Sequence, residues 1–353
     1  MKKKVLILYN NLFHYRIPIF NILAERYDLT VAYSFGKDTR EELKFKTLKL
    51  PVLKFKRLVL HKDNIFRLCQ KFDVVIAYGE INFLKYSTLP WHRKRRFKVV
   101  FWSIGVSTTH KKGFNEVKQK DKVRDVFYKK ADALVFYSDY PIPEYLERGF
   151  QKEKLFVAPN TVQVEDFREA QRQKDSILFI GTLALRKGLL SLLENYKSAL
   201  ALDKSLPVLN IIGGGDEFET VETWINVNKI QKNIILHGPI FDVAQKAAFF
   251  RKAYACISPN QAGLSVLESM GYGVPFITCK DAITGGERLN ITDGLNGVLF
   301  ENVNQLHEII LDISKFPQKY IAMGQNAQEY YWNCRKPEDM ANGLVDAIQY
   351  VVS

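Results

Sequence analysis

The sequence predicts an α/β protein of two domains, each built around a parallel β-sheet, and three observations carry that prediction. Short runs rich in Val, Ile, Phe and Tyr alternate with helix-like segments along the whole chain. Most of these runs are apolar at nearly every position, as strands covered on both faces must be. At 353 residues the chain also exceeds what one hydrophobic core usually organises.

The first half places strands at 5–9, 29–33, 74–78, 99–102, 133–137 and 155–158. The second places them at 177–180, 209–212, 234–236, 255–258, 275–278 and 298–300. Helical segments such as 17–25, 189–202 and 243–252 lie between them, and strand, helix, strand at this spacing implies parallel pairing with right-handed crossovers. The boundary falls near Pro159-Asn160-Thr161, giving domains 1–163 and 164–353, with the last helix free to pack back onto the first. Two such sheets facing each other leave a cleft at the carboxyl ends of their strands, where open α/β sheets bind ligands.

Hydrophobic residues make up 47% and charged residues 25%, the balance of a folded rather than a disordered chain. No apolar run reaches the length of a membrane span. The opening MKKKVLILYNN reads as a first strand, because its apolar run is short and no small-residue cleavage site precedes His14. Cys69, Cys256, Cys279 and Cys334 are scattered, with no C-x-x-C pair. That pattern opposes a disulfide scaffold or zinc site and suits a reducing cytosol, so a cytoplasmic location is expected. Charge is uneven: residues 1–163 hold 33 Lys+Arg and 16 Asp+Glu, a net of +17, whereas 164–353 are slightly acidic. An anionic partner is therefore expected for the first half only.

Three segments of the second half carry chemistry. Gly181 to Gly188 follows a strand and brings Arg186 and Lys187 to its carboxyl end, where cations can neutralise phosphate. Two solvated loop charges would look the same. Ile211-Ile212-Gly213-Gly214-Gly215-Asp216 runs a strand into glycines that permit close approach to the backbone, as a plain tight turn also would. It is not a G-x-G-x-x-G fingerprint. The most specific stretch, Ser258 to Pro275, contains a glycine loop and then a helix from about Leu264, whose free amides form an anion site. Glu268 lies one turn in, beside Leu267 and Met270, where a buried carboxylate needs a partner and could take ribose hydroxyls.

In order and spacing these pieces resemble the C-terminal halves of the family 4 retaining glycosyltransferases, which have the GT-B fold of two Rossmann-like domains. The resemblance covers most of 155–300: Val157-Ala158-Pro159-Asn160, Phe179 through Gly188, Ile211 to Asp216, Leu236-His237-Gly238, Gly263 to Pro275 and Asp293 to Gly297. It implies that Lys187 contacts the diphosphate of a nucleoside-diphosphate sugar and that Glu268 binds the ribose. It also implies that amides at Gly263 and Leu264 hold phosphate and sugar, with Gly214 lining the site and the backbone at Gly238 and Pro239 beside the base. Three positions depart from the family pattern. Asn260 stands where many members carry the first Glu of E-x7-E; Thr182 replaces a frequent Arg, leaving Arg186 as the second cation; and Ile104 replaces a frequent His, for which His110 is the nearby substitute. Asn260 can hydrogen-bond sugar hydroxyls but cannot stabilise positive charge as a carboxylate does.

In the first half, His92 to Lys98 follows Trp91, and Lys118, Lys120, Lys122 and Arg124 lie along 111–130. Basic residues beside aromatics suit an anionic membrane surface, and would equally form a solvated face. No nucleic-acid-binding signature accompanies them, so no nucleic acid partner is expected. A lipid-linked or cell-envelope glycan acceptor fits such a surface. After the first strand, His14 and Arg16 are the candidate acceptor contacts; each also suits a structural role. Glu80 and 107–110 occupy analogous strand ends.

No Asp-x-Asp triplet occurs, so neither metal nor other cofactor is expected, the leaving diphosphate being stabilised by Lys187 and helix amides. The expected reaction is hexosyl transfer to a hydroxyl, with retention as the resemblance implies. Its rivals are an epimerase or phosphorylase of the same fold, and a catalytically silent sugar- or lipid-binding protein.

Overall fold

Residues 2–36, 42–109, 113–116, 118–166 and 173–353 are described by a computed structural model. Every apolar run singled out above forms a strand, and two compact units result: Met1–Val162 with Lys336–Ser353, and Gln163–Arg335.

In the first unit the strands are β1 (Lys4–Asn11), β2 (Asp28–Phe35), β3 (Lys46–Lys49), β4 (Val74–Tyr78), β5 (Lys98–Ser103), β6 (Ala133–Phe136) and β7 (Leu155–Val157). They make one sheet in the order β7-β6-β5-β4-β1-β2-β3, parallel throughout. Val5, Leu6, Ile7 and Leu8 are all fully buried, because helices and loops cover both faces of the sheet. Two helices matter here, α1 (Ile17–Arg26) and α2 (Lys118–Tyr128).

The second unit has β8 (Ser176–Ile180), β9 (Val208–Ile212), β10 (Ile234–Gly238), β11 (Ala253–Ile257), β12 (Phe276–Cys279) and β13 (Gly297–Phe300). Their order, β10-β9-β8-β11-β12-β13, is again wholly parallel. The helices are α3 (Leu189–Leu202), α4 (Phe218–Asn228), α5 (Val243–Lys252), α6 (Ser265–Gly271), α7 (Leu306–Lys315) and α8 (Pro317–Cys334). The final helix, α9 (Pro337–Val352), belongs to the first unit. Its Met340, Leu344, Ala347, Ile348 and Val351 join Val5, Ile7 and Phe20 in one core, so its apolar face determines where it packs.

Two features escaped the sequence pattern. β3 is exposed at all four positions, as a short polar edge strand can be. After it, Val52–Phe55 and Leu58–His61 pair as an antiparallel hairpin. Among the described residues no helix is long and apolar enough to cross a membrane.

Candidate functional site

Both sheets reverse direction of growth once. In the second unit the chain builds outward from β8 through β9 to β10, then crosses to β11 on the other side. Loops leaving β8 and β11 therefore diverge at adjacent strand ends, the place where doubly wound sheets form a ligand crevice.

The loop after β8 is held by backbone bonds from Gly181 N–H to Ile212 C=O at 3.0 Å and from Leu183 N–H to Gly214 C=O at 2.9 Å. Glycine is required across from it. A Cβ on Gly213 would stand 1.9 Å from the Gly181 carbonyl oxygen, and one on Gly215 2.5 Å from that of Leu183. The glycine run thus serves close packing of two strand-end loops. A Cβ on Gly214 would lie 3.6 Å from the Pro239 ring, an ordinary contact, and Gly238 has open space where a Cβ would project.

A 3-10 turn, Leu185–Lys187, then turns into α3 through Gly188 in the left-handed region, with φ of 70°. The turn buries Lys187 to 7% exposure. Its Nζ lies 3.4 Å from where a Gly181 Cβ would be, so the ammonium packs against this glycine at ordinary contact distance. Burial depresses the Lys187 pKa from the ordinary lysine value; Arg186 adds to the effect, while Cys256 and Glu287 oppose it. Among the described residues this ammonium forms no ion pair and donates no hydrogen bond of its own. Burying a cation in this way is costly unless an anion joins it.

The loop after β11 meets that turn directly. Asn260 N–H donates to Lys187 C=O at 3.3 Å, and Arg186 Nε donates to Gln261 Oε1 at 3.2 Å. A Cβ on Gly188 would fall 2.5 Å from Asn260 Nδ2, so Asn260 packs against this glycine. Further along, Gly263 has nothing within 4 Å of its would-be Cβ. Leu264 is the N-cap of α6, and Ser265 Oγ is buried without a hydrogen-bond partner among the described residues. Open space, helix-start amides, an unpartnered hydroxyl and a buried ammonium are the donors an anionic ligand needs.

Glu268 is on α6, whose Val266, Leu267 and Met270 are fully buried. Its partner in this structure is Lys246 of α5, with Nζ 2.6 Å from Oε1. Sequence reasoning supplied no such partner, because Lys246 is 22 residues away on another helix. Glu287 was missed as well. It is 8% exposed, accepts from Gly285 N–H at 2.9 Å, and its charge reaches Lys187. The preceding Gly285-Gly286 pair was the available signal.

In the first unit the strand-end residues divide. His14 is exposed, edge-on to Tyr15 at 5.5 Å. Arg16 is 3% exposed, donates to Asn160 Oδ1 at 2.8 Å and contacts the Met340 sulfur at 2.9 Å. Its guanidinium also lies about 5 Å from the ring centres of Tyr15, Trp102 and Tyr137. This enclosure gives Arg16 an ordering role, tying the loop after β1 to α9. Tyr128 of α2 donates its hydroxyl proton to Gly79 C=O at 2.6 Å, and the same oxygen lies 2.9 Å from the Ser103 hydroxyl, which fixes α2 over the carboxyl ends of β4 and β5. Ile104 follows Ser103 and is half-buried; His110 lies outside the described residues.

Comparison with known proteins places this geometry. Residues 162–330 match the family described as glycosyl transferases group 1. The poly(glycerol-phosphate) alpha-glucosyltransferase of Bacillus subtilis (strain 168) is 26% identical over 58% of this chain and 31% of its own length. The chain thus spans less than a third of that relative. An uncharacterized 41.2 kDa protein in the cps region of Klebsiella pneumoniae is 29% identical over 68% of this chain and 69% of its own. Among solved structures, Anabaena HepE in complex with UDP superposes with a TM-score of 0.73 at 14% identity, over 98% of this chain and 99% of that one. Matched in sequence where the strand-end site is built and in fold along its length, residues 162–330 are a glycosyl transferases group 1 domain within a chain of GT-B fold.

Proposed function

We propose that the protein transfers a hexose from a nucleoside-diphosphate sugar, with uridine as the nucleoside, to a hydroxyl of a cell-envelope or lipid-linked glycan. The observation that carries this reading is the buried Lys187 ammonium, which forms no ion pair or hydrogen bond among the described residues and whose turn lies against the loop that leads to Gly263 and α6. The UDP held by HepE and the phosphate-rich acceptor in the name of the Bacillus subtilis relative support the choice of donor and acceptor.

In this mechanism the acceptor oxygen bonds to the anomeric carbon as the bond from that carbon to the phosphate oxygen breaks. The diphosphate leaves with the electron pair, and the acceptor proton passes to a departing phosphate oxygen on the same face. Lys187, the amides at Gly263 and Leu264, and Ser265 Oγ neutralise the charge that grows on the leaving group. These donors perform that task without a metal. Glu268 takes the ribose hydroxyls, and Asn260 hydrogen-bonds the sugar. Retention accords with the name of the Bacillus subtilis relative, an alpha-glucosyltransferase, since an α-linked donor yields an α-product only by retention. His14 contacts the acceptor. Exposed Trp91, Arg93, Lys94 and Arg96 face an anionic surface at which a lipid-linked acceptor is met.

Isothermal titration with UDP and with GDP tests the donor site. Micromolar binding of UDP, lost in Lys187→Ala and Glu268→Ala, is expected. Absence of binding by any nucleoside diphosphate overturns the proposal.

A further inference from the structure

The hairpin Val52–Phe55/Leu58–His61 has two unlike faces. Its register pairs Val52 with His61, Leu53 with Leu60, Lys54 with Val59 and Phe55 with Leu58. Alternation along each strand therefore places Leu53, Phe55, Leu58 and Leu60 on one face. All four are exposed, at 58%, 67%, 39% and 38%. Val59 and His61, on the other face, are buried at 4% and 3%.

That buried face anchors the hairpin firmly. Val59 N–H donates to Asn82 C=O at 2.9 Å and Lys62 N–H to Pro51 C=O at 2.9 Å. His61 stacks on Tyr86 with ring centres 4.4 Å apart and bonds Ser34 Oγ at 3.0 Å. The outward apolar face is thus a fixed surface rather than a loose loop. Four large apolar side chains on one side of a small hairpin are more than the scattered exposed hydrophobics of an ordinary surface, and mark a contact face.

Charge selects the occupant. Between residues 49 and 62 there are five cations, Lys49, Lys54, Lys56, Arg57 and Lys62, and no acidic side chain. Lys56 and Arg57 form the exposed tip, with Lys56 in the left-handed conformation at φ of 52°. A second copy of the chain docked face to face would bring these like charges together, which opposes pairing. An anionic bilayer satisfies both components at once: apolar side chains enter the acyl boundary while the cations meet headgroup phosphates.

We propose that the outward face of the hairpin, Leu53, Phe55, Leu58 and Leu60 with the Lys56-Arg57 tip, docks into the interfacial layer of an anionic membrane. This surface is separate from the Trp91–Arg96 patch. It extends the reading of a lipid-linked acceptor without using the donor site.

The test is co-sedimentation of the full chain with vesicles of about 30% phosphatidylglycerol in phosphatidylcholine, against phosphatidylcholine alone. Wild type should pellet only with the anionic vesicles. The double variant Phe55→Ser/Leu58→Ser, which keeps every charge, should lose roughly tenfold in partitioning. Lys56→Glu/Arg57→Glu should lose at least as much. In a Phe55→Trp variant, emission should shift to the blue on adding anionic vesicles. Equal pelleting of the serine variant, or unshifted Phe55→Trp emission while the protein pellets, overturns the proposal and assigns any binding to another surface. So does light scattering that shows a dimer which the serine variant converts to monomer. Thermal melts should leave the exposed serine variant as stable as wild type. UDP titration on the same samples keeps failure of the donor site distinct from failure of this surface.

Discussion

Glu268 Oε1 and Lys246 Nζ lie 2.6 Å apart, an ion pair joining α6 to α5 with side chains only 15% and 20% exposed. The pair orients the carboxylate that we assign to the ribose. Lys246→Met removes the cation and leaves the carboxylate free to rotate away. Its stability cost is about 2 kcal/mol, between the limits for exposed and fully buried pairs. Donor KM should rise several-fold with kcat nearly unchanged, and Lys246→Arg should restore most of the loss. A fall in kcat at constant KM, read by steady-state kinetics, excludes this positioning role.

Lys187 yields a pH prediction. Burial lowers its pKa, so it loses its proton at a lower pH than an ordinary lysine. The diphosphate binds the charged form, so affinity for UDP is full below that pKa and falls as pH rises through it. Calorimetry from about pH 7 to about pH 10 should show Kd rising, with proton uptake at the alkaline end. Lys187→Met should weaken binding about 100-fold at neutral pH and flatten the profile. An unchanged slope in the variant assigns the titration to another group.

Two glycines separate folding from ligand approach. Alanine at Gly213 would set its Cβ 1.9 Å from the Gly181 carbonyl oxygen, and backbone cannot yield cheaply. Gly213→Ala should therefore destabilise the second unit by about 3 kcal/mol or more in urea melts. Alanine at Gly263 meets nothing within 4 Å. Gly263→Ala should melt like wild type yet bind UDP at least several-fold more weakly, because the methyl occupies ligand space. Equal UDP affinity in Gly263→Ala moves the phosphate elsewhere.

His61 anchors the hairpin as a buried neutral imidazole, and burial pulls its pKa from 6.5 down to about 4. The unfolded chain binds this proton first, so the contribution is whole above pH 6.5 and is lost as pH falls toward 4. A shift of this size corresponds to about 3 kcal/mol. Urea unfolding at several pH values between these limits should show the decline in wild type and a shallower one in His61→Phe. Identical slopes would place the acid sensitivity in other residues.

Addition of EDTA should leave transfer from UDP-sugar unchanged if, as we propose, Lys187, helix-start amides and Ser265 supply the charge stabilisation. Loss of turnover that magnesium or manganese restores overturns the metal-free mechanism.

Much of the fold was legible locally. Strand 74–78 and helices 189–202 and 243–252 coincide with the segments read from the sequence, the strand because burial on both faces of a parallel strand leaves an unbroken apolar signature. The hairpin was not legible. Its exposed Leu, Phe and Lys mix fits neither a buried strand nor a polar loop, and β3 has no buried residue to mark it. For Arg16 the sequence left an acceptor contact and a structural role equally open, because a basic residue at a strand end looks the same whether it meets solvent or, as here, three aromatic rings and Asn160.

Local pattern was enough to establish the succession of strands and helices, the loops that carry Lys187, Asn260 and Gly263, and the helix that carries Glu268, since these follow from periodicity and backbone freedom. Folding alone brought Glu268 to Lys246, set Glu287 where its charge reaches Lys187, enclosed Arg16, and packed α9 against Val5 and Phe20. Those outcomes depend on groups distant along the chain. A charge's partner and a helix's resting place are set by what folding brings alongside, and local pattern carries no record of it.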